Sequence, residues 1–209
     1  MNSKERVQTA LNHQEPDRVP MMMSAGAWVV KKLKQHLGVQ TDRELHRALH
    51  LDIFDMRGID YKGAIGPKYI GPDDLGISPG WCGDVMTLFS YQEIITETPF
   101  GKAHSMGDPP LSDYATIEEL EAFPWPQLDW LDFSNVRRDL EPWADEFAVA
   151  ATGASVFQHP TLYRGIERML LEMASDPDLT YYILDKVSGF YYDYFQGIFE
   201  EAGDLSLIH

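Results

Sequence analysis

The apolar positions of this chain fall into short continuous runs separated by stretches of helical spacing. VPMMM, LDIFDMRGI and FAVAATGA are compact apolar runs that end in small or charged residues, the pattern of strands buried on both faces. DLSLI reads as the start of a fourth such strand. Between the runs, apolar residues recur at helical intervals. Val7, Ala10 and Leu11 predict a helix that opens at Ser3. Leu33 and Leu37 predict one from Trp28 to Leu37 that Gly38 stops, and Thr41-Asp42 opens another through Leu49. The glycines and prolines between Gly63 and Gly80 predict a long irregular segment, a length usually kept for a purpose.

In the second half, TLFSYQEIITETPFGKAHSM alternates like an exposed hairpin broken at Pro99 and Gly101. Thr116-Ile-Glu-Glu is a capping box for a short helix that Pro124 ends, and Ser134 opens another to about Phe147. Helices are expected from about Pro160 to Ala174 and, with Pro177 in its first turn, from Asp176 to Ala202. Buried strands alternating with helices predict a parallel α/β fold in a single domain over 1–209. A parallel sheet open at its last strand leaves backbone groups unpaired, so the chain is expected to be incomplete.

Charge narrows the partners. Asp and Glu number 33 against 17 Lys and Arg, a formal net charge of -16. Such a surface repels phosphate backbones and anionic lipid, so neither nucleic acid nor membrane is an expected partner. No apolar run approaches the roughly 20 residues of a membrane span, and the N-terminus reads as a capped polar helix rather than a signal peptide. A cytoplasmic protein is the expectation. Cys82 is the only cysteine, which leaves no internal disulfide and no cysteine-rich zinc site.

Taken in order, KERVQTALNHQEPDRVPM, LHLDIFDMRGIDYKGAIGPKYIGP, TIEELEAFPWP and GASVFQHPTLYRGIERMLLEMASDPDL followed by EEAGD resemble the uroporphyrinogen decarboxylase superfamily. Within it they are most similar to the decarboxylase-like branch related to the methylcobamide:coenzyme M methyltransferases. The resemblance implies a TIM (β/α)8 barrel with its site at the C-terminal ends of the strands. It also implies a longer domain, of which this chain is about the first half, with a β-hairpin insertion.

Uroporphyrinogen decarboxylases follow an Arg-x-Pro stretch with two clamp arginines that hold carboxylates of an octa-acid. Arg18, Pro20, Ala25 and Gly26 fit that frame here, but Ser24 and Ala27 stand in effect where the clamp arginines belong, with one residue deleted between. Serine cannot supply a charge-assisted bidentate contact, so binding of uroporphyrinogen itself is disfavoured. Met22 and Met23 then read either as an adaptable apolar wall for substrate beside Ser24 or as core filling.

The second strand offers the best polar pair. If IFDMRGI is extended, Asp55 and Arg57 share one face and Phe54 and Met56 the other. A carboxylate held by a guanidinium is a better anchor than a proton donor near neutral pH, so the pair either orients and binds substrate or is a structural ion pair. The resemblance also implies an aspartate at the end of this strand that stabilises a cationic intermediate. Ile59 or Asp60 occupies that place, which makes Asp60 a candidate catalytic acid beside Asp55. Tyr163 resembles the family's substrate-contacting tyrosine, displaced by about two positions, and His159 is a candidate contact in the same loop.

Three functions compete. One is a cofactor-independent decarboxylase of a tetrapyrrole or related carboxylated small molecule, working through a fixed carboxylate. A second is a methyltransferase moving a methyl group from a corrinoid carrier to a thiol; the resemblance places its zinc ligands, a His-x-Cys and a later Cys, beyond His209. The third is a non-catalytic half-barrel. The aromatic run YYILDKVSGFYYDYFQGIF is expected to pack one long helix against the barrel and against a partner subunit in a homodimer.

Overall fold

The computed structural model describes every residue except 59–63, 83–84, 91–92, 99–100, 206 and 209. In chain order the elements are α1 (Ser3–Leu11), α2 (Ala27–Leu37), α3 (Asp42–Ala48), β1 (Ile53–Asp55), β2 (Lys68–Tyr69), β3 (Glu93–Thr98) and β4 (Gly101–Met106). They continue with α4 (Ile117–Glu121), β5 (Leu131–Asp132), α5 (Val136–Ala144), β6 (Ala148–Ala150), α6 (Gln158–Arg164), α7 (Ile166–Ser175), α8 (Pro177–Ala202) and β7 (Leu207–Ile208). Two compact units result: residues 1–67, 133–152 and 198–209 form the first, and 68–132 and 153–197 the second.

The first unit is built on a parallel sheet in the order β1-β6-β7. Phe54 faces Val149 in register and Val149 faces Leu207, so the three apolar runs lie side by side in one direction as the pattern predicts. Val149 is fully buried at the centre. Helix α2 packs on α3 through Val30, Leu45 and Leu51, with Met23 and Leu33 against them. Capping boxes start α1 at Asn2, α3 at Thr41 and, in the second unit, α4 at Thr116. The cap of α1 is thus Asn2 rather than Ser3.

VPMMM is not a strand. Residues 19–26 carry no ladder pairing, and Met21 and Met22 are exposed. The Met21 carbonyl accepts from the amides of Asp52 and Ile53 at 2.8 and 3.2 Å, which fastens the segment beside β1. A buried strand of a parallel sheet needs ladder pairing on its edges, and among the described residues this segment forms none.

Another difference concerns α5, which begins after Asn135, ends at Ala144 and carries Pro142 inside. Its Trp143 stacks on Phe54 with ring centroids 3.8 Å apart. His46 sits among Phe54, Trp143 and Phe147 at 5.3–5.8 Å and is buried, with its Nδ1 2.9 Å from the Asp42 carbonyl. Burial lowers the imidazole from its ordinary value of 6.5, so the folded state favours the neutral ring. Folding stability from this group is complete above that value and declines as pH falls below it. Below pH 6.5, urea unfolding should show a pH slope that His46→Gln reduces.

The second unit has an aromatic centre. Phe89 stacks on Tyr163 at 4.8 Å and meets Phe190 and Tyr191 edge-on, while Trp125 packs on Phe123. The predicted hairpin is present, pairing Glu93 with Met106 and Thr98 with Gly101. Residues 85–89, read from the sequence as strand-like, instead form a 3-10 helix. Within the glycine- and proline-rich segment, β2 pairs antiparallel with β5. Gly71 makes this possible, because a Cβ there would lie 2.7 Å from Trp130 and 2.9 Å from Tyr69. The helix expected from Pro160 to Ala174 breaks at Gly165, whose φ of +88° suits glycine alone. On α8, Ile183, Val187, Tyr191 and Ile198 are buried, the apolar stripe expected of the long aromatic helix.

Candidate functional site

Parallel strands gather ligands at their C-terminal ends, where loops are free to vary. At that end of β1, Asp55 faces Ala150 of β6, and the Met56 amide prolongs the ladder to the Ala150 carbonyl at 2.9 Å. The strand stops there. Gly58 donates its amide to the Asp55 carbonyl at 2.8 Å, and the Asp55 side chain accepts the Arg57 amide at 3.0 Å, closing a turn. Asp55 and Arg57 therefore do meet, but through a turn rather than by strand alternation.

The Asp55 carboxylate is 6% exposed. It accepts from Arg57 Nη2 at 2.8 Å and Nε at 3.2 Å, and from the Thr152 hydroxyl at 2.6 Å. Thr152 lies two residues past β6, so the two parallel strands deliver these groups to one place. The Arg57 Nε and Nη2 meet Asp55, and the side chain is 26% exposed. A guanidinium presents a planar fork that suits carboxylate, sulfonate or phosphate groups.

A second carboxylate marks the opposite end of β1. Asp52, fully buried just before the strand, accepts Arg6 Nη1 at 2.6 Å, Arg18 Nη1 and Nη2 at 2.6 and 2.9 Å, and the Met21 amide at 2.9 Å. Arg6 also grips Asp17 through two bonds. Burial alone raises the Asp52 carboxyl, but the Met21 amide, Arg18 and Arg6 outweigh it and hold the group below the ordinary carboxylate value. Saturated and enclosed, Asp52 is a structural anchor of the DRV segment.

The other sequence candidates are distributed as follows. Met22 and Ser24 are exposed, and Met23 is half-buried against the α2–α3 core. Asp60 lies outside the described residues. In the second unit His159 Nδ1 is 2.5 Å from the Tyr191 hydroxyl, which is 2.7 Å from that of Tyr163. Tyr163 is fully buried. Next to it Arg164, also buried, forks onto Glu172 at 2.6 and 2.7 Å and donates to the carbonyls of Leu111 and Tyr114, tying the 111–114 loop to α6 and α7.

Among the described residues no three His, Cys, Asp or Glu side chains come together as a metal ion requires, and Cys82 is a half-buried thiol. Nor, among them, is any helix long and apolar enough to cross a membrane.

No protein-family model matches the chain, and no curated protein matches it. Among solved structures the chain is similar to a methyltransferase from Methanosarcina mazei, with a TM-score of 0.59 and 15% sequence identity over 98% of this chain. The match extends over 57% of that protein, so this chain spans little more than half its length. At such identity the likeness establishes a shared fold.

Proposed function

We propose that the chain serves a methyltransferase that moves a methyl group from a corrinoid carrier to a small anionic thiol. In this reading the sheet β1-β6-β7 is an arc of a (β/α)8 barrel. The likeness to the Methanosarcina mazei methyltransferase carries the proposal. The Ser24 and Ala27 positions support it from the other side, because an octa-acid substrate needs arginines there.

The corrinoid supplies an electrophilic methyl group; the acceptor sulfur takes it as a thiolate. This chain's part is to hold the acceptor. Arg57, oriented by Asp55 and Thr152, grips the anionic end and points the sulfur outward from the strand ends, which converts an encounter into a positioned reaction. The zinc implied by the resemblance finds no donor set among the described residues, so thiolate formation is not assigned to them.

The test uses the protein with methylcobalamin and two thiols of similar size, 3-mercaptopropionate and 2-mercaptoethanol, with thioether measured by mass spectrometry. Thioether should form from the anionic thiol at least about tenfold faster, the worth of one charge-assisted contact. No thioether, together with carbon dioxide release from a carboxylated tetrapyrrole, would replace this reading with the decarboxylase.

A further inference from the structure

An asparagine at the start of a helix ordinarily turns its side-chain oxygen back to accept from the first free amides. Asn135 stands at that position on α5 and makes no such bond. Asn135 is 4% exposed, and its Nδ2 donates to the Gly66 carbonyl at 2.9 Å and to Asp139 Oδ2 at 3.0 Å. A carbonyl and an ionised carboxylate can only accept, which fixes the amide in this orientation. Its Oδ1 is buried and has no hydrogen-bond partner among the described residues. An orphaned acceptor costs stability, and a helix cap would have used it. Asn135 is therefore placed for what its N–H groups hold.

They hold the backbone that closes against the end of β1. Ile65, the neighbour of Gly66, donates its amide to the Met56 carbonyl at 2.6 Å, while the Met56 amide is bonded to the Ala150 carbonyl of β6 at 2.9 Å. Met56 is thus fixed from two sides, by the parallel sheet and by the 65–66 backbone that Asn135 clasps. Arg57 is the next residue, and its amide closes on Asp55 at 3.0 Å. We propose that Asn135 is a positioning residue for Arg57: by holding Gly66 it fixes, through Ile65 and Met56, the turn that presents the guanidinium. This role rests on the reading of Arg57 as the anchor of an anionic thiol. A displaced turn leaves the charge of Arg57 intact and misplaces its fork, so the loss falls on binding of the anion.

Two measurements on the same variants test it: calorimetric titration with 3-mercaptopropionate alone, and methyl transfer from methylcobalamin to 3-mercaptopropionate and to 2-mercaptoethanol. Asn135→Ala should weaken 3-mercaptopropionate binding and raise its KM by about three- to tenfold, the worth of one hydrogen bond, with kcat and transfer to 2-mercaptoethanol little changed. Asp139→Ala keeps the Gly66 bond and removes only the second acceptor of Nδ2, so it should shift both constants the same way by less. It carries the test if Asn135→Ala does not fold. Val30→Ala, in the α2–α3 core, should lower the melting temperature and leave both constants unchanged. Weakened binding with no thioether from any form of the protein would keep the positioning role and remove the methyl-transfer reading. Unchanged constants in both the Asn135 and Asp139 variants, equal losses on the two thiols, the same loss in Val30→Ala, or no binding of 3-mercaptopropionate by the unsubstituted chain would each overturn the positioning role.

Discussion

Replacing Asp52 by alanine is expected to cost about 3–5 kcal/mol of folding stability, the largest effect of any single substitution in the first unit. The carboxylate is fully buried and takes four hydrogen bonds, three of them from Arg6 and Arg18. Its removal leaves the buried Arg6 guanidinium with Asp17 as its one remaining carboxylate, and the Met21 amide loses its acceptor as well. Breaking a buried pair on one side costs far more than the pair contributes net, because the surviving charge stays poorly solvated. Asp52→Asn keeps the shape but removes the charge, and should fall between wild type and alanine. Because the folded Asp52 carboxyl lies below its ordinary value of 3.8, its contribution is complete above that value and is lost as pH falls through the lower one. Urea unfolding near neutral pH and near pH 3 checks both statements: the alanine variant should show a flatter acid limb. Equal midpoints for wild type and Asp52→Ala would remove the anchor assignment.

Asp52 was invisible in the sequence for a physical reason. An aspartate at the head of an apolar run reads as a solvated boundary, and its guanidinium partners stand 46 and 34 positions away. Thr152 was missed likewise, since it reaches Asp55 across 97 positions through a register that no local pattern encodes. What periodicity does encode is burial and local hydrogen bonding. The parallel sheet was legible because IFD and AVA are apolar enough for a strand packed on both faces, and the cap at Thr41 and the capping box at Thr116 because their partners lie three residues on. VPMMM shows the limit: the same kind of apolar run, without ladder pairing, forms no strand and leaves Met21 and Met22 exposed. Asp55 and Arg57 were found as a pair, although a turn and not strand alternation joins them.

Arg57→Ala should lower methyl transfer to an anionic thiol by about 10²–10³-fold, with little change in transfer to a neutral one. The contrast follows from what the guanidinium does. It contributes charge and a fixed fork to an anion, so an acceptor without the anion has nothing to lose. Arg57→Lys keeps the charge but not the bidentate geometry, and should recover only part of the rate. Asp55→Asn releases the fork from its strongest tether, the 2.8 Å bond from Nη2, while leaving the amide-closed turn a weaker acceptor. Its effect should approach that of Arg57→Ala. Thr152→Val removes one 2.6 Å bond and should cost about tenfold, mostly as a raised KM, because the arginine remains charged and tethered. None of the three side chains anchors the apolar core and Arg57 is partly exposed, so melting temperatures should fall less than for Asp52→Ala, and the anionic-to-neutral rate ratio separates lost positioning from lost fold. Equal losses on the anionic and neutral thiols would mean that Asp55 and Arg57 form an ion pair holding the turn after β1 and nothing more.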